Sequence, residues 1–270
     1  MTRLYVLGSG SGGNCIAIEH ERQMLLIDAG FSAREIERRS AVVGLSLAGL
    51  VGIALTHEHG DHASGAARLA KQFAVPIVTA PGTWNRLAPR MPKAAHLAIT
   101  SMGQVQLGPF GIEACATSHD AAEPLALVVT TADGARVGVA YDLGRPTAAV
   151  RFLLRELHAL VIEANHDEIL LRTSGYPPSV QERIAGSGGH LSNRAAAELI
   201  AEVLHPALGV IVLAHLSERC NSAEEARAAV MAILCTVTHA CDLHVARQDA
   251  PLPPITVIVR AVAAVADPAA

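Results

Sequence analysis

Residues 56–62 read Thr-His-Glu-His-Gly-Asp-His and follow an apolar run at 51–55. Four potential metal ligands, His57, His59, Asp61 and His62, stand within six residues. On one continuous helix His57 and His59 would face different directions, because side chains two apart do not share a helix face. The segment is therefore expected to be a loop folded around a centre at the end of a buried strand. Imidazoles mixed with a carboxylate suit zinc or a similar divalent first-row ion. A solvated turn would need no such spacing. Histidine use elsewhere agrees: 13 His outnumber the 4 Phe, 3 Tyr and 1 Trp together, and ordinary packing gives no reason for that excess.

Further donors end strand-like runs. His119 follows 111–117, Asp142 follows 136–141, and His215 follows 209–214. Strand ends are where α/β enzymes commonly assemble sites, so these residues and the cluster form a plausible two-metal set. Other strands are expected at 4–7, 15–19, 24–28, 76–79, 159–163, 243–246 and 255–259, and between 97 and 141. Ser32 with Glu35, and Ser222 with Glu225, read as capping boxes that open helices. Helices are also expected at 62–73, 147–157 and 192–204. Strand-rich blocks followed by helices occur twice, which suits an α/β fold with two sheets packed face to face and helices outside. One domain over 1–270 is expected.

Several classes are excluded. Gly8-Ser9-Gly10-Ser11-Gly12-Gly13 satisfies a dinucleotide fingerprint, but 14–19 reads as a strand where that mechanism needs a helix. Asp28 comes only 15 residues after Gly13, too soon for a βαβ unit. No nucleotide cofactor is expected, and the glycines read as a tight loop beneath a site. Mean hydropathy is high at +0.34, yet the longest apolar stretches, 206–216 and 255–266, are too short or broken by Arg260 to span a membrane. The first ten residues lack a signal peptide's apolar stretch, and five scattered cysteines without a CxxC pair read as reduced thiols, so a cytoplasmic location is expected. A net charge of −4 argues against blanket coating of nucleic acid but permits a local arginine patch.

The order Asp28, His57-x-His59-x-Asp61-His62, His119, Asp142, His215 resembles the metallo-β-lactamase-fold hydrolases over nearly the whole chain. The resemblance implies a four-layer αββα sandwich. It implies two divalent ions, zinc or manganese: His57, His59 and His119 on one, Asp61, His62 and His215 on the other, Asp142 bridging, and Asp28 supporting the loop from beneath. A histidine at 59 separates the chain from the oxygen-reducing di-iron branch, and a carboxylate at 142 separates it from the major β-lactamases. Segments 9–15, 118–124, 163–167, 189–193 and 215–217 look like the YycJ/WalJ subfamily, which is associated with 5′-to-3′ DNA exonuclease activity. Cys220-Asn221 and Tyr141 depart from that pattern. The first departure touches substrate contacts, and the second is expected to be harmless.

A hydrolase acting on DNA or another phosphodiester through water activated between the ions is therefore expected, with Asp61 accepting a proton and His190 donating one to the leaving oxygen. His190 stands just before Ser192, the expected N-cap of helix 192–204, where the dipole also draws phosphate. His166, Ser192, Asn193, Ser217 and Asn221 are candidate substrate contacts. Arginines 145, 172, 183, 194 and 219 fall in the later motif segments and could bind backbone phosphates. His20, His96, His158, His205, His239 and His244 receive no chemistry. A thioester or small-ester hydrolase of the glyoxalase II type is the alternative, because one such centre serves several substrates. A metal-stabilised scaffold is disfavoured by the intact ligand set.

Overall fold

A computed structural model describes residues 1–236 and 241–259. His239 and residues 260–266 of the apolar C-terminal stretch lie outside the described residues. The chain begins with an antiparallel meander, β1 (Thr2–Gly8), β2 (Cys15–His20) and β3 (Gln23–Ile27). Helix α1 (Ala33–Val42) leads to β4 (Leu50–Ala54). The turn α2 (Gly60–Ala63) and α3 (Ala66–Phe73) lead to β5 (Ile77–Thr79), and α4 (Pro81–Leu87) leads to β6 (His96–Ala98). These last three strands add in parallel to β3.

The second half repeats the scheme. Strands β7 (Gln104–Leu107), β8 (Phe110–Ala116), β9 (Leu125–Thr131) and β10 (Arg136–Ala140) are antiparallel. Helix α5 (Ala148–Leu153) precedes β11 (Ala159–Glu163). Helices α6 (Glu168–Thr173), α7 (Pro178–Ala185) and α8 (Asn193–Val203) precede β12 (Val210–Ala214), and α9 (Ala223–Leu234) precedes β13 (Asp242–Val245). Strands β11, β12 and β13 add in parallel to β10. A last strand, β14 (Ile255–Val257), crosses over and pairs antiparallel with β1. Among the described residues the result is two seven-stranded mixed sheets, β1–β6 completed by β14 and β7–β13.

Strand residues are apolar on both faces because both faces are covered. In β9, Leu125, Leu127 and Val129 meet Leu4, Val6, Ile16 and Ile18 between the sheets. The intervening Ala126 and Val128 pack outward with Ala196, Ile200 and Val230 of α8 and α9. Across the first sheet Leu7, Ala17 and Leu26 pack with Ile36 of α1 and Leu69 of α3. The fold is an αββα sandwich. No helix among the described residues is long and apolar enough to cross a membrane.

Three expectations need adjustment. The helix expected over 62–73 is broken, because α2 ends at Ala63 and α3 starts at Ala66. The backbone crosses another segment there: Gly65 N donates to Ala29 O at 2.7 Å, and a Cβ at Gly65 would lie 2.4 Å from Phe31 O. The helix expected over 147–157 stops at Leu153. Helices α6 and α7 leave no amphipathic signal in the sequence, because they bury one residue and none, respectively, and so carry little apolar period.

Candidate metal centre

The centre lies where β3, β4, β10 and β12 end. Three of its residues leave a strand in the left-handed region: Asp28 at φ 58°, Asp142 at φ 55° and His215 at φ 54°. Such conformations cost roughly 1–3 kcal/mol for non-glycine residues and persist where the surroundings enforce them. At each position the turn directs a polar side chain over the strand ends.

After β4 the chain bends at Thr56, Glu58 and His59 instead of forming a helix, and its backbone at His59 itself is extended (φ −62°, ψ 153°). His57 and His59 turn inward, with His57 Nε2 3.0 Å from His59 Nδ1. Glu58 turns away and accepts a hydrogen bond from Ala122 N at 2.8 Å. The helical turn α2 then carries Asp61 and His62 back to the centre, where His62 Nε2 lies 3.3 Å from Asp61 Oδ2. Beneath His62, Asp28 Oδ2 lies 2.7 Å from Nδ1 and also accepts from Thr56 Oγ1 and Tyr141 Oη, while Asp28 Oδ1 accepts from Thr56 N. This orients the His62 ring with Nε2 towards the centre.

Asp142 is the convergence point. Its Oδ2 lies 2.9 Å from His62 Nε2 and 3.8 Å from His57 Nε2, and its Oδ1 lies 3.8 Å from His119 Nε2, 3.4 Å from His215 Nδ1 and 3.2 Å from His190 Nδ1. His215 Nε2 reaches Asp61 Oδ2 at 3.5 Å. All seven expected ligands, Asp28 and His190 are therefore brought together.

The donor set fits divalent metal. His57, His59 and His119 form one group with ligand atoms within 4.8 Å of one another, as do Asp61, His62 and His215. Among the described residues, buried Asp142 Oδ2 and His215 Nε2 have only the ion-pair contacts just given, with His62 and Asp61, and no partner in hydrogen-bond geometry, an expense that a cation removes. Burial works against charge throughout, but the neighbours prevail. His215 and His62 hold Asp142 well below the ordinary carboxylate range, and His190 leads in pulling Glu163 down to about 2. In the same way, Glu163 and Asp142 raise His190 to about 10, and Asp142 leads in raising His215 to about 9. His57 goes the other way, lowered chiefly by burial. Protons on imidazoles thus balance the carboxylates here, and a bound cation replaces protons in such a set.

The cavity over the centre measures about 200 Å³ and is lined by Ser11, His59, Asp61, His119, Arg183 and His190 among others. The glycine-rich loop does lie at the centre's side: Ser9 Oγ donates to Asn14 Oδ1 and accepts from His215 N, and Asn14 Nδ2 lies 3.2 Å from His62 Nε2. The remaining candidates are dispersed. His166 and Ser192 line a neighbouring cavity. Ser217 and Asn221 line a third, beside Ser9. Asn193 is buried and lines none of these; its amide pairs reciprocally with that of Asn221 at 2.8 Å.

The family model described as the metallo-beta-lactamase superfamily matches residues 8–119. Over 233 residues the chain is 34% identical to Exodeoxyribonuclease YycJ of Bacillus anthracis, covering 85% of this chain and 88% of that protein. The chain belongs to the YycJ/WalJ branch of the metallo-beta-lactamase superfamily. Exodeoxyribonuclease WalJ of Streptococcus pneumoniae is 31% identical over 228 residues, covering 81% and 83%. Among solved structures, the metallo-beta-lactamase fold protein YhfI of Bacillus subtilis superposes with a TM-score of 0.69 at 17% identity, covering 93% of this chain and 98% of that one. Short-form human tRNase Z does so with a TM-score of 0.63 at 15% identity, covering 96% and 100%. Hydrolase chemistry and divalent-metal binding come with membership of this family.

Two residues of this metallo-beta-lactamase chain gained no role from sequence. Glu163 ends β11 fully buried, and its Oε1 lies 2.7 Å from His190 Nδ1 and 3.0 Å from His215 Nδ1. Its Oε2 accepts from Leu143 N and Leu191 N. The signal was an acid closing an all-apolar strand. Tyr141, whose departure from the subfamily pattern is expected to be harmless, supplies a 2.6 Å hydrogen bond to Asp28. A buried tyrosine needs a partner for its hydroxyl.

Gly30 permits the closest backbone approach in the centre. A Cβ there would lie 1.7 Å from Asp61 O and 2.7 Å from Asn14 N. Gly30→Ala must displace the loop that carries Asp61, and overpacking of this kind costs roughly 1–3 kcal/mol. We expect a melting temperature several degrees lower and reduced metal content, read by thermal denaturation and elemental analysis.

Proposed function

We propose that this chain hydrolyses DNA phosphodiesters as a 5′-to-3′ exonuclease that uses two divalent ions, zinc or manganese. The observation that carries the reading is the convergence of two ligand groups on buried Asp142, whose two oxygens lie within 3.8 Å of His57, His62, His119 and His215. His57, His59 and His119 would hold one ion, Asp61, His62 and His215 the other, and Asp142 both. The names of the YycJ and WalJ relatives support DNA as substrate. Bound ions would polarise a phosphoryl oxygen and acidify water.

The chain's own groups do the remaining work. Asp61 is half-exposed at the cavity wall and has a carboxylate oxygen placed to take a proton. Glu163 engages His190 Nδ1, which leaves Nε2 as the ring atom available to protonate a leaving oxygen. Arg183 lines the same cavity and offers a charge to phosphate. Both halves of the chain supply ligands, so the reading takes 1–270 as one functional domain. Five free cysteines suit the cytoplasm, where thiols stay reduced.

The test sets end-labelled DNA beside a thioester, each with Mn²⁺ or Zn²⁺. We expect release from the 5′ end of DNA. Thioester hydrolysis without DNA cleavage would transfer the reading to the glyoxalase II type. Elemental analysis of metal-replete protein should return close to two ions per chain, and a value near zero would end the two-metal reading.

A further inference from the structure

Beside the metal cavity, and sharing His190 with it, lies a second cavity of about 520 Å³. It is walled by the loop after Asp142, by α6 and α7, and by the first turn of α8. None of its residues except His190 belongs to the centre described above.

Two independent features make it an anion site. One is the α8 N-terminus. Ser192 caps this 11-residue helix, its hydroxyl accepting from Ala195 N, while Asn193 N donates to His166 O. The Arg194 amide is left as the first-turn donor without an acceptor in the helix, and the helix dipole adds a partial positive charge. The other is His166. It is 2% exposed and lines the cavity, and its Nδ1 is buried without a hydrogen-bond partner among the described residues. A buried ring nitrogen with no partner is costly unless something occupies the site.

The charges agree. Arg145, Arg172 and Arg194 line the cavity, facing Glu168 and Glu182. Glu168 is already engaged, accepting from Arg194 and from Ser192 Oγ. Arg145 and Arg172 therefore remain against Glu182. That balance is a net charge of about +1, so the cavity attracts an anion.

We propose that this cavity binds the terminal 5′-phosphate of a DNA strand whose neighbouring linkage sits over the metal centre. The proposal rests on the nuclease reading and deepens it. A terminal phosphate monoester carries about −1.5 to −2 charge, against −1 for an internal diester. Contiguity of the two cavities through His190 lets one strand fill both. The site would select strand ends, which an exonuclease must do.

The test measures binding of metal-loaded protein to a short single strand with a nuclease-resistant backbone, carrying either a 5′-phosphate or a 5′-hydroxyl. Wild-type protein should bind the phosphorylated strand about 10- to 100-fold more tightly, as one or two charge-assisted hydrogen bonds imply. In His166→Ala, and separately in Arg145→Ala/Arg172→Ala, that ratio should collapse towards 1. The arginine pair is exposed, so its variant remains informative if His166→Ala does not fold. A wild-type ratio near 1, or a full ratio retained in the folded variants, overturns the proposal. Absence of DNA binding and cleavage altogether would instead overturn the nuclease reading.

Discussion

Asp142→Asn should abolish turnover while leaving the sandwich folded. The side chain keeps its shape, but the centre loses the carboxylate that lies within 3.8 Å of members of both ligand groups. Five imidazoles, those of His57, His62, His119, His190 and His215, have a nitrogen within 3.8 Å of that carboxylate. Removing one partner from a buried charge cluster costs about 3–5 kcal/mol, or roughly 10²–10⁴-fold in affinity at 1.36 kcal/mol per decade. The loss should fall on the cations. Metal content is expected to drop below two per chain and kcat by at least about 10³-fold, while circular dichroism stays close to that of the parent. A near-native rate with both ions retained would show that Asp142 does not join them.

The contrast between Asp142 and Glu163 shows what a sequence can disclose. Asp142 was visible because a polar residue ended an apolar run and stood in order with an HxHxDH element. Glu163 also ends an apolar run, yet its meaning depends on distant partners. Register places β11 between β10 and β12, so Glu163 sits opposite Ala214, next to His215, and beside the turn that follows Asp142. His190 then arrives from a segment 27 residues away. No local pattern encodes that meeting. Tyr141 is similar, since its role exists only because the two sheets stack and bring it beneath Asp28.

Local signals fared better for the fold. Ser32 Oγ accepts from Glu35 N, and Ser222 Oγ accepts from Glu225 N, so both expected caps are present. Apolar runs marked most strands because both sheet faces are buried. The turns around Ser64–Gly65 and helices α6 and α7 depended on backbone crossings and on exposed surface instead, which leave no period to read. The same limit explains why the cavity walled by α6 and α7 emerged only from the structure.

His190→Ala should lower DNA turnover by roughly 10²–10⁴-fold, the range for a lost general acid. Metal content should be unchanged when the ions sit in the two triads, neither of which includes His190; a fall would instead place an ion in the group Asp142, Glu163, His190 and His215. The geometry makes a further demand. Glu163 holds Nδ1 at 2.7 Å, so only Nε2 can serve a leaving oxygen, and the ring is oriented by a carboxylate that is fully buried. A nitrophenyl phosphodiester has a leaving group that needs no proton, so its hydrolysis should be largely spared. If His190 merely bound phosphate, both substrates would weaken together and mainly through KM. If it only supported the start of α8, the melting temperature would fall while the rate per folded molecule held. The discriminating quantity is therefore the ratio of the two losses in kcat. A large loss on DNA beside a small one on the nitrophenyl ester assigns proton donation to His190. Equal losses remove it from that role and leave Asp61 as the proposed proton-transfer group.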